Sequence, residues 1–239
     1  MLNNISMKLY EAYPICKQSV NIPFEKLFSN LNKDEIIRNK GKAGQLMENL
    51  CGLKLSNATR DFEDGELKTS ELKESTAITM ITSWIDEIIH ENPIAFEKSR
   101  LLKKIEHIIF MPLEKPSCNP LEWYFKNCTY IPITKGTKLY EQIENDYNNI
   151  CILSHEQVYK KKISHVPNFK TTSKSFGDGF LHTTSGKFIQ IRTKDAGGRK
   201  SKPILSKKLN RNVTKVSRMA FYFLASFKHY VDKNLNERN

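Results

Sequence analysis

The stretch that most constrains this chain is ten residues long: Arg60-Asp61-Phe62-Glu63-Asp64-Gly65-Glu66-Leu67-Lys68-Thr69. An acid is followed, after four residues, by a second acid, then one spacer and a lysine. Strand side chains alternate with period two, so Glu66 and Lys68 share one face while Leu67 turns to a core. Gly65 predicts a tight turn that folds Asp61 back toward that face. Two carboxylates and an ammonium converging on one spot suit a hard divalent cation held through oxygens. They also leave a positive group for a phosphate or an attacking water. In a chain with 27% charged residues the same letters also fit a solvated hairpin edge.

The placement of charge narrows the partner. From Val158 to Asn239 there are 19 Lys and Arg against 4 Asp and Glu, whereas residues 1–157 carry 19 against 22. A basic final third beside a near-neutral body predicts one wall of a cleft that holds a polyanion, nucleic acid before all. A lysine-rich solubilising surface is the plainer alternative. An anionic membrane is disfavoured because the basic part lacks a long amphipathic apolar face. No apolar run reaches membrane-spanning length and residues 1–6 show no signal-peptide pattern, so a cytoplasmic protein is expected. The five cysteines contain no C-x-x-C pair and are expected to be reduced core thiols without structural zinc. A P-loop and a dinucleotide glycine pattern are both missing from the sequence, which argues against an enzyme of small nucleotides.

Along the chain, Tyr13-Pro14-Ile15 and Asn21-Ile22-Pro23 predict breaks, with a helix-like turn from Phe24 and another from Asp34. Ala43, Leu46, Met47 and Leu50 form a stripe at helical spacing, with Gly52 as a stop. Gly44 inside that helix predicts a close-packing site, since glycine there costs about 1 kcal/mol relative to alanine. Residues 75–82 are rich in β-branched types and predict a strand completing a meander with the 60–69 hairpin. Ile105, Ile108, Ile109 and Phe110 predict a core-facing segment, Thr137 to Asn149 a helix, and 188–193 a strand. His155 and His165 are expected at the surface. A last strand at 220–224 and a helix from Ala225 to Leu235 close the chain.

The segment Lys40-Gly41-Lys42-Ala43-Gly44-Gln45-Leu46-Met47-Glu48, followed by Asp61-Phe62 and Glu66-Leu67-Lys68-Thr69, resembles the MutH family. The likeness resumes at Gly186-Lys187-Phe188-Ile189-Gln190-Ile191-Arg192-Thr193-Lys194 and ends at Ala220-Phe221-Tyr222-Phe223-Leu224. That family comprises the mismatch-repair nicking endonuclease and related type II restriction enzymes that cut at GATC. It therefore spans nearly the whole chain, weakly between residues 85 and 180. The departure is a spacing two residues shorter between Asp61 and Glu66, which leaves Asp64 as an alternative partner acid.

The resemblance implies an α/β (α+β) fold with a restriction-endonuclease-like PD-(D/E)xK core: a central mixed β-sheet flanked by helices and a DNA-binding cleft. One domain would have a catalytic lobe at about 1–157 and a basic recognition lobe at about 158–239. The implied function is a Mg2+-dependent endonuclease of restriction–modification, hydrolysing DNA at GATC. Methyl-directed repair nicking with a MutL-type partner, or an inactive DNA-binding module, are the alternatives. Asp61, Glu66 and the Leu67 carbonyl would hold the metal, with Glu48 as an auxiliary acid and Lys68 acting on the attacking water. Lys40 and Lys104 would contact phosphates. Arg192 and Lys194 would read a base in the major groove or hold phosphates, in front of a basic loop with Arg199 and Lys200. Tyr222 would lie against the target adenine, or be an ordinary core residue. A palindromic site admits a homodimer or successive nicks by a monomer.

Overall fold

The computed structural model describes residues 7–38, 43–53, 60–161, 170–171, 177–194, 202–215 and 218–235. In chain order its helices and strands begin with α1 (Leu9–Gln18), α2 (Phe24–Leu27), α3 (Lys33–Arg38), α4 (Ala43–Leu50), β1 (Glu66–Ser70) and β2 (Thr76–Met80). There follow α5 (Ile85–Ile88), α6 (Arg100–Ile105), β3 (His107–Glu114), β4 (Tyr124–Phe125), β5 (Thr129–Pro132) and α7 (Lys138–Val158). The last part holds β6 (Lys170–Thr171), β7 (Thr184–Ser185), β8 (Ile189–Thr193), β9 (Leu205–Ser206), β10 (Arg211–Asn212), β11 (Met219–Phe223) and α8 (Ala225–Leu235). The class is mixed α/β of the α+β kind. No helix among the described residues is long and apolar enough to cross a membrane.

Two compact units share the chain. The first takes Met1–Thr76, Lys104–Ile133 and His229–Asn239; the second takes Ala77–Lys103 and Thr134–Lys228. The chain thus passes between them several times, and residue 157 lies inside α7 of the second unit.

In the first unit β3 is the hub. It runs parallel to β1, with Glu66 opposite Ile108 and Lys68 opposite Phe110, and antiparallel to β4 and β5. Six consecutive residues of β3, Ile108 to Leu113, are buried, the mark of a strand covered on both faces. Leu67, Ile109 and Met111 join Leu9, Cys16, Leu46, Met47 and Cys51 in one core. Helix α1 runs straight through Pro14, against the expected break, because Leu9, Ala12 and Cys16 all seat in that core. Burial of this stripe outweighs the one backbone bond that proline forgoes.

The expected meander of β1 with the following strand does not form. Strand β2 instead lies beside β11 in a second sheet of order β2-β11-β8-β7-β6. The reason is where its apolar residues go: Ile78 is buried in the second unit, where Trp84 also packs its ring on Phe221 of β11. One central sheet is therefore replaced by two larger ones. In the second unit α7 carries Ile143, Tyr147, Ile150, Cys151 and Val158 into the core, and Tyr147 meets both Phe96 and Phe221. His155 belongs to this buried stripe rather than to the surface. Its Nδ1 lies 2.9 Å from the Ile89 carbonyl oxygen and its ring stacks on Tyr159. His165 lies outside the described residues.

All five cysteines are free thiols, four of them buried. Cys16 and Cys51 face each other at 4.0 Å; the Cys128 contact and then burial push the Cys16 thiol up to about 12, and the Cys16 contact and then burial raise Cys51.

Candidate active site

A tight turn presents Asp61 to the end of β1. Phe62, buried in the core, anchors it, and the Phe62 N–H donates to the Gly65 carbonyl at 3.0 Å. Gly65 is required by contact: a Cβ there would sit 2.6 Å from the His107 carbonyl oxygen. Asp64 points elsewhere, accepting the Leu9 N–H at 2.8 Å and so capping the first turn of α1. Asp61 faces the strand instead. Its Oδ2 accepts the Leu67 N–H at 3.0 Å, and its own N–H donates to Glu66 Oε1 at 3.3 Å.

Lys68 completes the constellation. Its ammonium donates to Asp61 Oδ2 at 3.4 Å, to the Leu67 carbonyl oxygen at 3.2 Å and, more tightly, to Glu66 Oε2. Two carboxylates and a main-chain carbonyl thus converge on one cation, and that cation is Lys68. Glu66 has no exposed surface, and Lys104 grips its other oxygen from the end of α6. Two anions and two cations therefore balance within one half-buried cluster.

Helix α4 adds Glu48. Gly44 allows the approach, since a Cβ there would stand 3.2 Å from the Thr69 hydroxyl of β1, confirming the close packing predicted from the sequence. Burial first, then the charge of Asp61, pushes the Glu48 carboxyl up to about 7. Burial also raises Glu66, against the pull of Lys68. Asp61 is held below the ordinary carboxylate range: burial opposes this, and the Lys68 charge, the Glu66 contact, the Lys104 charge and the Leu67 N–H together outweigh it. Lys68 is disfavoured as an ion by burial but raised by Glu66 and Asp61 together, so it stays protonated.

The donor set fits a hard cation. Asp61, Glu66 and the Leu67 carbonyl supply only oxygen, and their convergence on an ammonium demonstrates that a positive charge is stable there. Among the described residues no group of three Asp, Glu, His or Cys side chains is placed to hold a metal ion.

Lys104, expected from sequence as a phosphate contact or as one of a solvated lysine pair, is seated on Glu66. Parallel pairing of β1 with β3 is what brings the end of α6 beside Glu66, and no local pattern announces a parallel partner. Lys40, Arg199 and Lys200 lie outside the described residues.

The second unit, taken by itself, holds the other candidates. Arg192 on β8 is half-exposed, with its guanidinium carbon 4.2 Å from the Tyr222 ring centre on β11. Lys194 follows the strand, exposed, with its N–H on the Arg218 carbonyl at 3.0 Å. The turn before β8 is set by buried Asp146, which accepts the Phe188 and Ile189 N–H groups at 2.6 and 3.0 Å. A Cβ at Gly186 would strike that carboxylate, which explains the glycine. A second device escaped the sequence reading: Asp86 accepts the Ser206 hydroxyl and the Lys207 and Lys208 N–H groups, the latter two at 3.1 and 3.4 Å. It pins a hairpin turn whose two lysines project into solvent.

No protein-family model matches the chain, and no curated protein sequence matches it.

Proposed function

We propose that this chain is a sequence-specific, Mg2+-dependent DNA endonuclease with a PD-(D/E)xK active site, acting at GATC as a type II restriction enzyme. The observation that carries the proposal is the convergence of Asp61, Glu66 and the Leu67 carbonyl on the Lys68 ammonium. The likeness to the MutH family in the segments around Glu48, Glu66 and Arg192 supports it and is the source of the GATC assignment. The basic final third supplies the complement to a polyanion.

Magnesium bound by Asp61, Glu66 and the Leu67 carbonyl would supply Lewis acidity and a lowered pKa for water. Lys68, beside both carboxylates, would orient the attacking water and offset the negative charge that develops on the phosphoryl oxygens. Lys104, bonded to the far oxygen of Glu66, holds that carboxylate in the ionised state that burial alone would oppose. Glu48, its carboxyl pushed up to about 7 by burial, would be the auxiliary acid, and a bound cation would favour its ionised form. Direct attack by water on the phosphorus would need no covalent intermediate.

The test is incubation of unmethylated and adenine-methylated plasmid with the protein, with magnesium or with a chelator. Magnesium-dependent cleavage at GATC, lost in Asp61→Asn, is expected. Binding without cleavage under all conditions would leave a DNA-binding module in place of a nuclease.

A further inference from the structure

Arg192 and Tyr222 stand on neighbouring antiparallel strands, one register step apart: Arg192 is opposite Ala220, and Tyr222 is opposite Gln190. The methyl side chain of buried Ala220 leaves room for the arginine to lie across to the next residue of its own face. It does so with its guanidinium carbon over the Tyr222 ring, 4.2 Å from the centre. Gln190, opposite Tyr222 in the ladder, has its amide oxygen held by the Ser185 hydroxyl at 3.0 Å. Tyr222 is itself buried, so its ring is a fixed plate rather than a mobile partner.

A guanidinium is planar, with its π face and its hydrogen-bond donors at right angles. Stacking uses the face; the five N–H bonds point outward in the plane. A ring under the face therefore orients the donor fork without consuming any donor. It also removes much of the rotamer freedom that a half-exposed arginine would otherwise lose on binding.

We propose that Tyr222 is a positioning residue, acting through Arg192: it aims the arginine fork at the O6 and N7 acceptors of a guanine, and does not itself need to touch a base. This rests on the DNA-reading function proposed above. A ring that works by its face makes Phe a full substitute and Leu, which keeps the apolar bulk, a failure. The expected loss of guanine discrimination in Tyr222→Leu is about 2- to 30-fold, the span of a cation–π contact from exposed to desolvated.

Two measurements on the full chain test it. The first is the Arg192 Nε–Hε resonance in the free protein, expected to be displaced upfield by the ring current in wild type and Tyr222→Phe and to return to the ordinary position in Tyr222→Leu. The second is competition binding, in calcium buffer, between a GATC duplex and the same duplex with 7-deazaguanine, which lacks the N7 acceptor. Wild type and Tyr222→Phe should prefer guanine, Tyr222→Leu should lose that preference, and non-specific affinity should change little. Unchanged preference in Tyr222→Leu, or loss of preference in Tyr222→Phe equal to that in Leu, overturns the positioning role. An undisplaced Arg192 resonance in wild type overturns it too, whatever the DNA result. Wild type that binds every duplex alike, with a displaced resonance, overturns the DNA-reading function and the inference built on it.

Discussion

Gly65 and His107 meet backbone to backbone: a Cβ on residue 65 would lie 2.6 Å from the His107 carbonyl oxygen and closer still to the Leu9 side chain. A side-chain tip can swing aside, but the carbonyl of a residue held in the β3–β5 ladder cannot. Gly65→Ala is therefore expected to push the turn off β3, lowering stability by about 1–3 kcal/mol, the usual range for overpacking. Because that turn holds Asp61, cleavage should fall further than the melting temperature alone explains. Thermal unfolding together with plasmid nicking below the transition checks both.

Asp61 and Asp64 separate cleanly. Asp61 faces Leu67 and Lys68, while Asp64 caps α1 through the Leu9 N–H. Asp61→Asn should abolish magnesium-dependent nicking with DNA binding retained. Asp64→Ala should instead cost about 1 kcal/mol of stability, as loss of a helix cap does, with activity kept at permissive temperature. Nicking that survives Asp61→Asn and dies with Asp64→Ala would move the metal ligand to Asp64.

Lys104 distinguishes two roles by readout. Were it a plain phosphate contact, Lys104→Met would weaken binding to all duplexes and lower the salt dependence. Bonded to fully buried Glu66, it should instead leave binding nearly intact and cut the cleavage rate at saturating DNA. Single-turnover cleavage at several salt concentrations reads the difference.

Lys207 and Lys208 form the outward tip of the turn pinned by Asp86. Each lysine that contacts a phosphate adds about −0.9 to the slope of log binding constant against log salt. The double variant Lys207→Ala/Lys208→Ala should flatten that slope without altering the preferred sequence. Asp86→Ala, which frees the turn, should weaken binding while leaving the lysines in place. A slope unchanged in the double variant would remove this turn from the interface.

Asp178 makes stability depend on acid pH. Burial would raise its carboxyl, but the His182 ring, the Phe180 N–H and Lys215 bring it down to about 2, from an ordinary 3.8. A depressed carboxyl stabilises above its unfolded value and loses that contribution as the pH falls through the folded one. The contribution is therefore complete above about pH 4 and fades toward pH 2, amounting to about 2 kcal/mol at most. Urea midpoints for wild type and Asp178→Asn should differ at pH 6 and converge below pH 4. A constant difference down to pH 3 would show that the Asp178 charge is not what these contacts stabilise.

Much of this chain was legible from order alone, wherever the controlling physics is local. The stripe of Ala43, Leu46 and Met47 makes α4, and the period-two pattern of Glu66, Leu67 and Lys68 makes β1. Gly44 declared a close approach, and α8 runs over the residues its pattern predicts. The spacing of Asp61, Glu66 and Lys68 likewise suffices to bring them together, because one turn and one strand face do all the work. Choices between distant partners were not legible. That β1 takes β3 in parallel, that β2 leaves for another sheet, that Lys104 closes on Glu66, and that Arg192 lies on Tyr222 each depend on which buried faces match. Periodicity says that a face is apolar or charged, but the free energy of covering it is settled only among segments far apart in sequence. Tertiary structure therefore decided those pairings, and with them the chemical setting of residues the sequence had already named.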